Sequence, residues 1–140
     1  MVASILYGLL CGKCYEGAIV SGYALLEYLC RYAGNNKVYG TVLLKGAISP
    51  EDVEKFTKLL NDLRWFIAEQ IGITSLMPEL WKFGGGPNNK DFPFHEFIAF
   101  ADASEDVPSD TEWGSIGSFI ECFDAVQSKW DISISKCSRY

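Results

Sequence analysis

Hydrophobic positions along this chain fall into two kinds of run: short, nearly continuous ones, and longer ones in which apolar residues recur three or four apart. Residues 3 to 10, ending in Tyr7-Gly8-Leu9-Leu10, are of the first kind. So short a run without polar alternation predicts a strand covered on both faces. Val38 to Lys45, after the turn signal Asn35-Asn36, is a second such run, rich in β-branched residues. Between the two, Ile19, Tyr23, Leu26, Cys30 and Ala33 recur at helical spacing, which predicts a helix closed by Gly34. The three segments together read as a βαβ unit with a right-handed crossover and parallel strands.

Ser49-Pro50-Glu51-Asp52 supplies a capping hydroxyl, a proline at the first helical position and acids at the positive end of the helix dipole. A long helix is expected from there to Gly72, burying Val53, Phe56, Leu60, Leu63 and Ile67, with Leu59 and Phe66 widening that face. Residues 73 to 93 hold Pro78, Gly84-Gly85-Gly86, Pro87 and Asn88-Asn89, a density of breakers that predicts a long loop. Phe94 to Asp102 then reads as a strand with neither face cleanly polar. Ser115 is placed to cap a last helix carrying Ile116, Phe119, Ile120, Phe123, Val126 and Trp130. Residues 131 to 136 alternate as an edge strand does.

No repeat or linker divides the sequence, so residues 1 to 140 are expected to form one domain. The predicted fold is α/β or α+β, with the order β-α-β-α-β-α-β and a mixed four-stranded sheet flanked by three helices.

Apolar residues make up 49% of the chain and charged ones 21%, a balance that belongs to a folded globule with a thinly charged surface. The net charge of −6 argues against direct binding of nucleic acid, which needs clustered Lys and Arg, and favours basic protein partners. No stretch approaches the roughly 20 apolar residues of a membrane span, and no basic targeting segment precedes the first apolar run. Five cysteines, an odd number, suit a reducing compartment, and a cytoplasmic protein is expected.

Two features offer chemistry. Cys11-Gly12-Lys13-Cys14 stands at the predicted turn from strand to helix, where the helix N-terminus and Lys13 would favour a thiolate. The pair reads as a redox dithiol, as half of a zinc site completed by Cys122 and Cys137, or as two structural thiols. Strand, Cys-Gly-x-Cys, helix and strand resemble the order found in the thioredoxin-like family, and Pro93 stands where that family's cis-proline is expected. The likeness covers about the first third of the chain and that proline; Leu10 and Lys13 replace the family's usual aromatic and proline. It implies a thiol-disulfide oxidoreductase in which Cys11 attacks and Cys14 resolves. His95, the sole histidine, leaves a Cys-His pair formally open but reads better as a core residue, with the neighbouring Glu96 turned to the opposite face. The segment from Gly84 to Lys90 lacks a Walker ending, and Asp102-x-Ser104-x-Asp106 lacks the glycine and glutamate of a calcium loop.

The second feature is acidic. Asp102, Glu105, Asp106, Asp110 and Glu112 are followed by Trp113, with no base among them. Like charges should hold this segment extended and exposed, where carboxylates steer a cationic partner and the aromatic supplies contact area. Tyr15, Trp81, Phe83 and Tyr140 are further candidate contacts. The leading expectation is a small acidic binding or inhibitor protein of the immunity or counter-defence type. It needs no cofactor or metal and docks a basic protein, such as a nuclease, through this loop. The oxidoreductase using Cys11 and Cys14 is the alternative.

Overall fold

The computed structural model describes residues 22–31, 37–84 and 92–135. The predicted strand at 3–10 and the Cys11/Cys14 pair lie outside these residues. The predicted helix through Tyr23, Leu26 and Cys30 is instead a strand, β1 (Tyr23–Arg31). Its even positions, Ala24, Leu26, Tyr28 and Cys30, are all fully buried, while Glu27 between them is exposed. Leu25 and Leu29 occupy positions that alternation would give to polar residues, so the period of two is masked in the sequence.

β2 (Lys37–Lys45), close to its predicted bounds, pairs with β1 antiparallel over nine residues, from Tyr23 opposite Lys45 to Arg31 opposite Lys37. The parallel βαβ unit expected here is therefore not formed by these residues. β4 (His95–Ala103) lies antiparallel on the other side of β1. The short β3 (Trp65–Phe66) pairs with β4, and β5 (Thr111–Ser115) runs parallel to β2. The fold is thus mixed α+β, with a five-stranded sheet in the order β3-β4-β1-β2-β5.

The helices depart from expectation at the end of α1, in an additional helix and at the C-terminal segment. α1 (Pro50–Lys58) starts as predicted: the Ser49 hydroxyl accepts from the Asp52 N–H and the Asp52 carboxylate accepts from the Ser49 N–H, both at 3.1 Å. It does not run on to Gly72. Asp62 and Leu63 adopt positive φ (56° and 61°), and the Asn61 and Trp65 backbones exchange two hydrogen bonds of 2.8 Å, turning the chain into β3. Leu63, expected in the core, is 66% exposed as a result. α2 (Ala68–Ile71) does stop at Gly72, in the left-handed region with φ 91°.

α3 (Met77–Gly84) occupies the segment expected to be loop, because Pro78 falls in its first turn, where the missing N–H costs no helical hydrogen bond. α4 (Ile116–Val126) is capped by Ser115 as predicted. Residues 132 to 134 form one 3₁₀ turn rather than an edge strand, since the Asp131 carboxylate accepts from the Ser133 N–H and curls the chain. Among the described residues, no helix is long and apolar enough to cross a membrane.

The core is aromatic. Phe56, the one fully buried residue of α1, lies 5.1 Å from Phe97 and 5.2 Å from Phe100 of β4, both edge-on, and 4.7 Å from Phe123 of α4. Two strand residues three apart ordinarily face opposite ways. A bulge opposite Tyr28 inserts one extra residue into β4, so that Phe97 and Phe100 reach the same face. Gly40 of β2 serves the same packing: a Cβ there would lie 2.8 Å from the Leu76 side chain and 2.9 Å from the Tyr28 ring.

Replacement of Phe56 by Ala is expected to lower unfolding free energy by about 3–5 kcal/mol. Gly40→Ala is expected to lower it by about 1–3 kcal/mol through overpacking. Urea unfolding monitored by tryptophan fluorescence measures both; a Phe56→Ala loss no larger than that of an exposed substitution contradicts the central position of the ring.

Candidate functional site

The acidic segment follows from the strand order. β4 and β5 run in the same direction and are separated by β1 and β2, so residues 104–110 must pass both strands, a lateral span of about 14 Å at ordinary strand spacing, and return from the level of Lys45 to that of Val42. The crossing starts with a turn in which the Val107 N–H donates to the Ser104 carbonyl. Glu105 and Asp106 sit exposed in this turn, and Asp102 is exposed just before it. The Ser104 hydroxyl donates to the Asp106 carboxylate and holds its pKa below the usual value, while Glu105 accepts from the Tyr23 hydroxyl at 3.3 Å. These groups line an open depression of about 520 Å³ with Gly22, Tyr23 and Ala103.

The other predicted residues are placed differently. The Asp110 carboxylate accepts from the Thr41 N–H at 2.8 Å, and its own N–H donates to the Thr41 hydroxyl at 3.2 Å. Asp110 is thus a latch that docks the start of β5 onto β2. Glu112 is exposed on β5, beyond two intervening strands from Asp102. Trp113 is half-buried, with its ring edge-on to Phe119 at 5.3 Å, and forms part of the core wall. The structure therefore leaves Asp102, Glu105 and Asp106 exposed where β4 runs into its turn, Asp102 on the sheet face of Phe100 and Glu105 bonded to Tyr23 of the other face, with Asp110 tied to Thr41 and Trp113 packed on Phe119 at β5. Among the described residues the ion pairs are Arg31–Glu96, Lys58–Glu54 and Lys82–Glu79, and none engages an acid of 102–112.

Of the cysteines within the described residues, Cys30 is fully buried with its sulfur 3.3 Å from that of Met77. Cys122 is half-buried, and burial pushes its thiol pKa up, the opposite of activation. Among the described residues no group of three His, Cys, Asp or Glu could hold a metal ion. Cys11, Cys14 and Cys137 lie outside them, as do the side chains of Tyr15, Phe83 and Tyr140. Trp81 packs on the core.

His95 is fully buried between Tyr28 and Phe66, with ring centroids 5.9 and 6.1 Å away. Its Nε2 accepts from the Leu76 N–H at 3.0 Å, so the neutral ring carries its proton on Nδ1, which has no partner among the described residues. Burial lowers its pKa to about 4. The nitrogen that a catalytic base would need is committed to the backbone.

Sequence reasoning missed a surface patch at the β3 end. Arg64 lies 5.3 Å over the Trp65 ring, Phe92 packs edge-on to Trp65 at 5.0 Å, and Phe92 and Leu63 are exposed beside them. The only sequence signal was an Arg-Trp pair inside a segment that read as helix.

In comparisons with known proteins, the chain matches no family model, no curated protein and no solved structure.

His95 gives a pH prediction. Its pKa is lower folded than unfolded, so the unfolded chain binds more protons between about pH 6.5 and 4, and stability falls as pH drops through that window. The loss from pH 7.5 to 4.5 attributable to this ring is about 2–3 kcal/mol. Urea unfolding at the two pH values measures it, and His95→Gln, which keeps an acceptor for Leu76 without titrating, should lose correspondingly less. Equal slopes in wild type and variant refute the assignment.

Proposed function

We propose that this protein is a small acidic binding protein of the cytoplasm, of the immunity or counter-defence type, that docks a basic protein through the carboxylates at the end of β4. One observation carries the reading: Asp102, Glu105 and Asp106 are each exposed within five residues of chain at the end of β4, with no Lys or Arg paired to them among the described residues. Carboxylates already neutralised by internal cations cannot attract a partner, whereas unpaired ones on a chain of net charge −6 steer a cationic surface into contact. Asp110, through its latch to Thr41, fixes the far end of the segment that carries this turn, and Glu112 extends the negative field across the sheet.

The triple variant Asp102→Asn, Glu105→Gln, Asp106→Asn tests this, because none of the three acids holds the fold together. Its stability should stay within about 0.5 kcal/mol of wild type. Immobilised wild type should capture basic proteins that salt elutes, and the variant should fail to capture them. Retention of the same proteins by both, at equal salt, removes the acidic turn from the function.

A further inference from the structure

The backbone of β4 has hydrogen-bonding groups that the rest of the sheet does not use. The Gly46 N–H donates to the Gly22 carbonyl at 2.7 Å, which sets the parity of β1: its even residues bond to β2 and its odd residues to β4. In the observed register Tyr23, Leu25 and Glu27 face Ala103, Ala101 and Ala99. Those three alanines therefore turn their N–H and C=O groups towards β1, and Phe100 and Asp102 turn theirs outward. On the outer side β3 covers only the start of β4, opposite His95 and Glu96, and ends with the Phe97 N–H donating to the Arg64 carbonyl. From Ile98 to Ala103 the outer edge has no strand partner among the described residues.

The other edge of the sheet is guarded. Thr74 lies along β5, its N–H donating to the Thr111 hydroxyl and its hydroxyl to the Asp110 carbonyl. Edge strands are usually blunted by lysine, proline or a covering segment, because an open row of N–H and C=O groups templates another strand. The stretch Ile98–Ala103 has no lysine or proline, and Ile98, Ala99, Ala101 and Asp102 are exposed along it.

We propose that the outer edge of β4 at Phe100 and Asp102 accepts an extended cationic segment of a partner protein as an added strand. This deepens the acidic-docking reading and rests on it. Main-chain bonds to Phe100 and Asp102 give affinity, and the carboxylates of Asp102, Glu105 and Asp106, reached as the edge runs into its turn, select Lys and Arg. Charge decides the occupant. A second copy using both open residues would pair Phe100 with Asp102 of its partner in antiparallel fashion. That arrangement makes the two Asp102 side chains diagonal neighbours about 7–8 Å apart, on molecules that each carry −6. A cationic strand meets attraction at the same place.

The probe is a random ten-residue peptide display library selected on the full chain. Selected peptides should be rich in Lys and Arg, and on binding they should shift amide resonances of residues 98–106. Asp102→Asn removes the charge and keeps the edge N–H; Asp102→Pro removes both, at a residue whose N–H makes no bond to β1. Affinity should fall a few-fold for Asp102→Asn and about tenfold further for Asp102→Pro, the worth of one main-chain hydrogen bond. Slowed hydrogen exchange at the Phe100 and Asp102 amides of the wild-type complex gives the same readout without any variant. Asp102→Pro binding as well as Asp102→Asn, with those amides unprotected, overturns strand addition and leaves acidic docking standing. Uncharged selected peptides, with Asp102→Asn equal to wild type, overturn the cationic occupant and the docking reading together. Self-association in sedimentation equilibrium that Asp102→Pro abolishes assigns the edge to a second copy and overturns the proposal, as does failure to select any peptide.

Discussion

The aromatic contact between α1 and β4 depends on a single extra residue in β4. The bulge opposite Tyr28 lets Phe97 and Phe100 both face inward, and the Phe56 ring fits between them and the rings of α4. Without that insertion, strict alternation would send one of the two phenylalanines to the opposite face, and α1 would lose one of its two aromatic contacts with β4. Since α1 buries only Phe56 completely, the position of the whole helix follows from the register of a strand some forty residues later. Edge-to-face rings add a geometric preference to area burial, which fixes the orientation of the helix as well as its contact.

A second constraint completes the sheet. β5 runs parallel to both β2 and β4, so no tight hairpin can deliver it, and the chain leaving β4 must pass β1 and β2 and return from the level of Lys45 to that of Val42 before entering it. The latch between Asp110 and Thr41 ends that crossing with charge-assisted bonds to β2, and Trp113 against Phe119 anchors the strand to α4. The acidic segment is consequently a structural connection at its far end and an open turn at its near end.

Much of this was legible where the signal is local. The strands at 38–45 and 94–102, the Ser49 and Ser115 caps and the Gly72 stop all follow from residue type at a fixed position. The failures have two causes, pairing with strands remote in sequence and short-range backbone turns that residue type did not announce. Apolar residues at 25 and 29 disguised β1 as a helix, and its strand character comes from pairing with β2 and β4. The end of α1 is set by positive φ at Asp62, a type that tolerates it, and at Leu63, which does not by type and is held there by the return of Trp65 to Asn61. At the site, the concentration of acids was readable as charge. The division of labour among them was not, because Asp110 is claimed by a threonine 69 residues away.

That division bears on what the surface can do. A carboxylate that accepts from a backbone N–H, as Asp110 and Asp52 of the capping box do, contributes to the fold through that oxygen. Glu96 is similarly spent on Arg31 at 2.9 Å. The acids left over at the end of β4 lie where the sheet also leaves main-chain groups of Phe100 and Asp102 turned outward. Electrostatic attraction acts at a distance and tolerates many cations, whereas main-chain pairing acts only in contact and demands an extended segment. On the proposed reading the first would bring candidates in and the second would sort them by conformation, since a surface carrying both discriminates more sharply than charge alone allows.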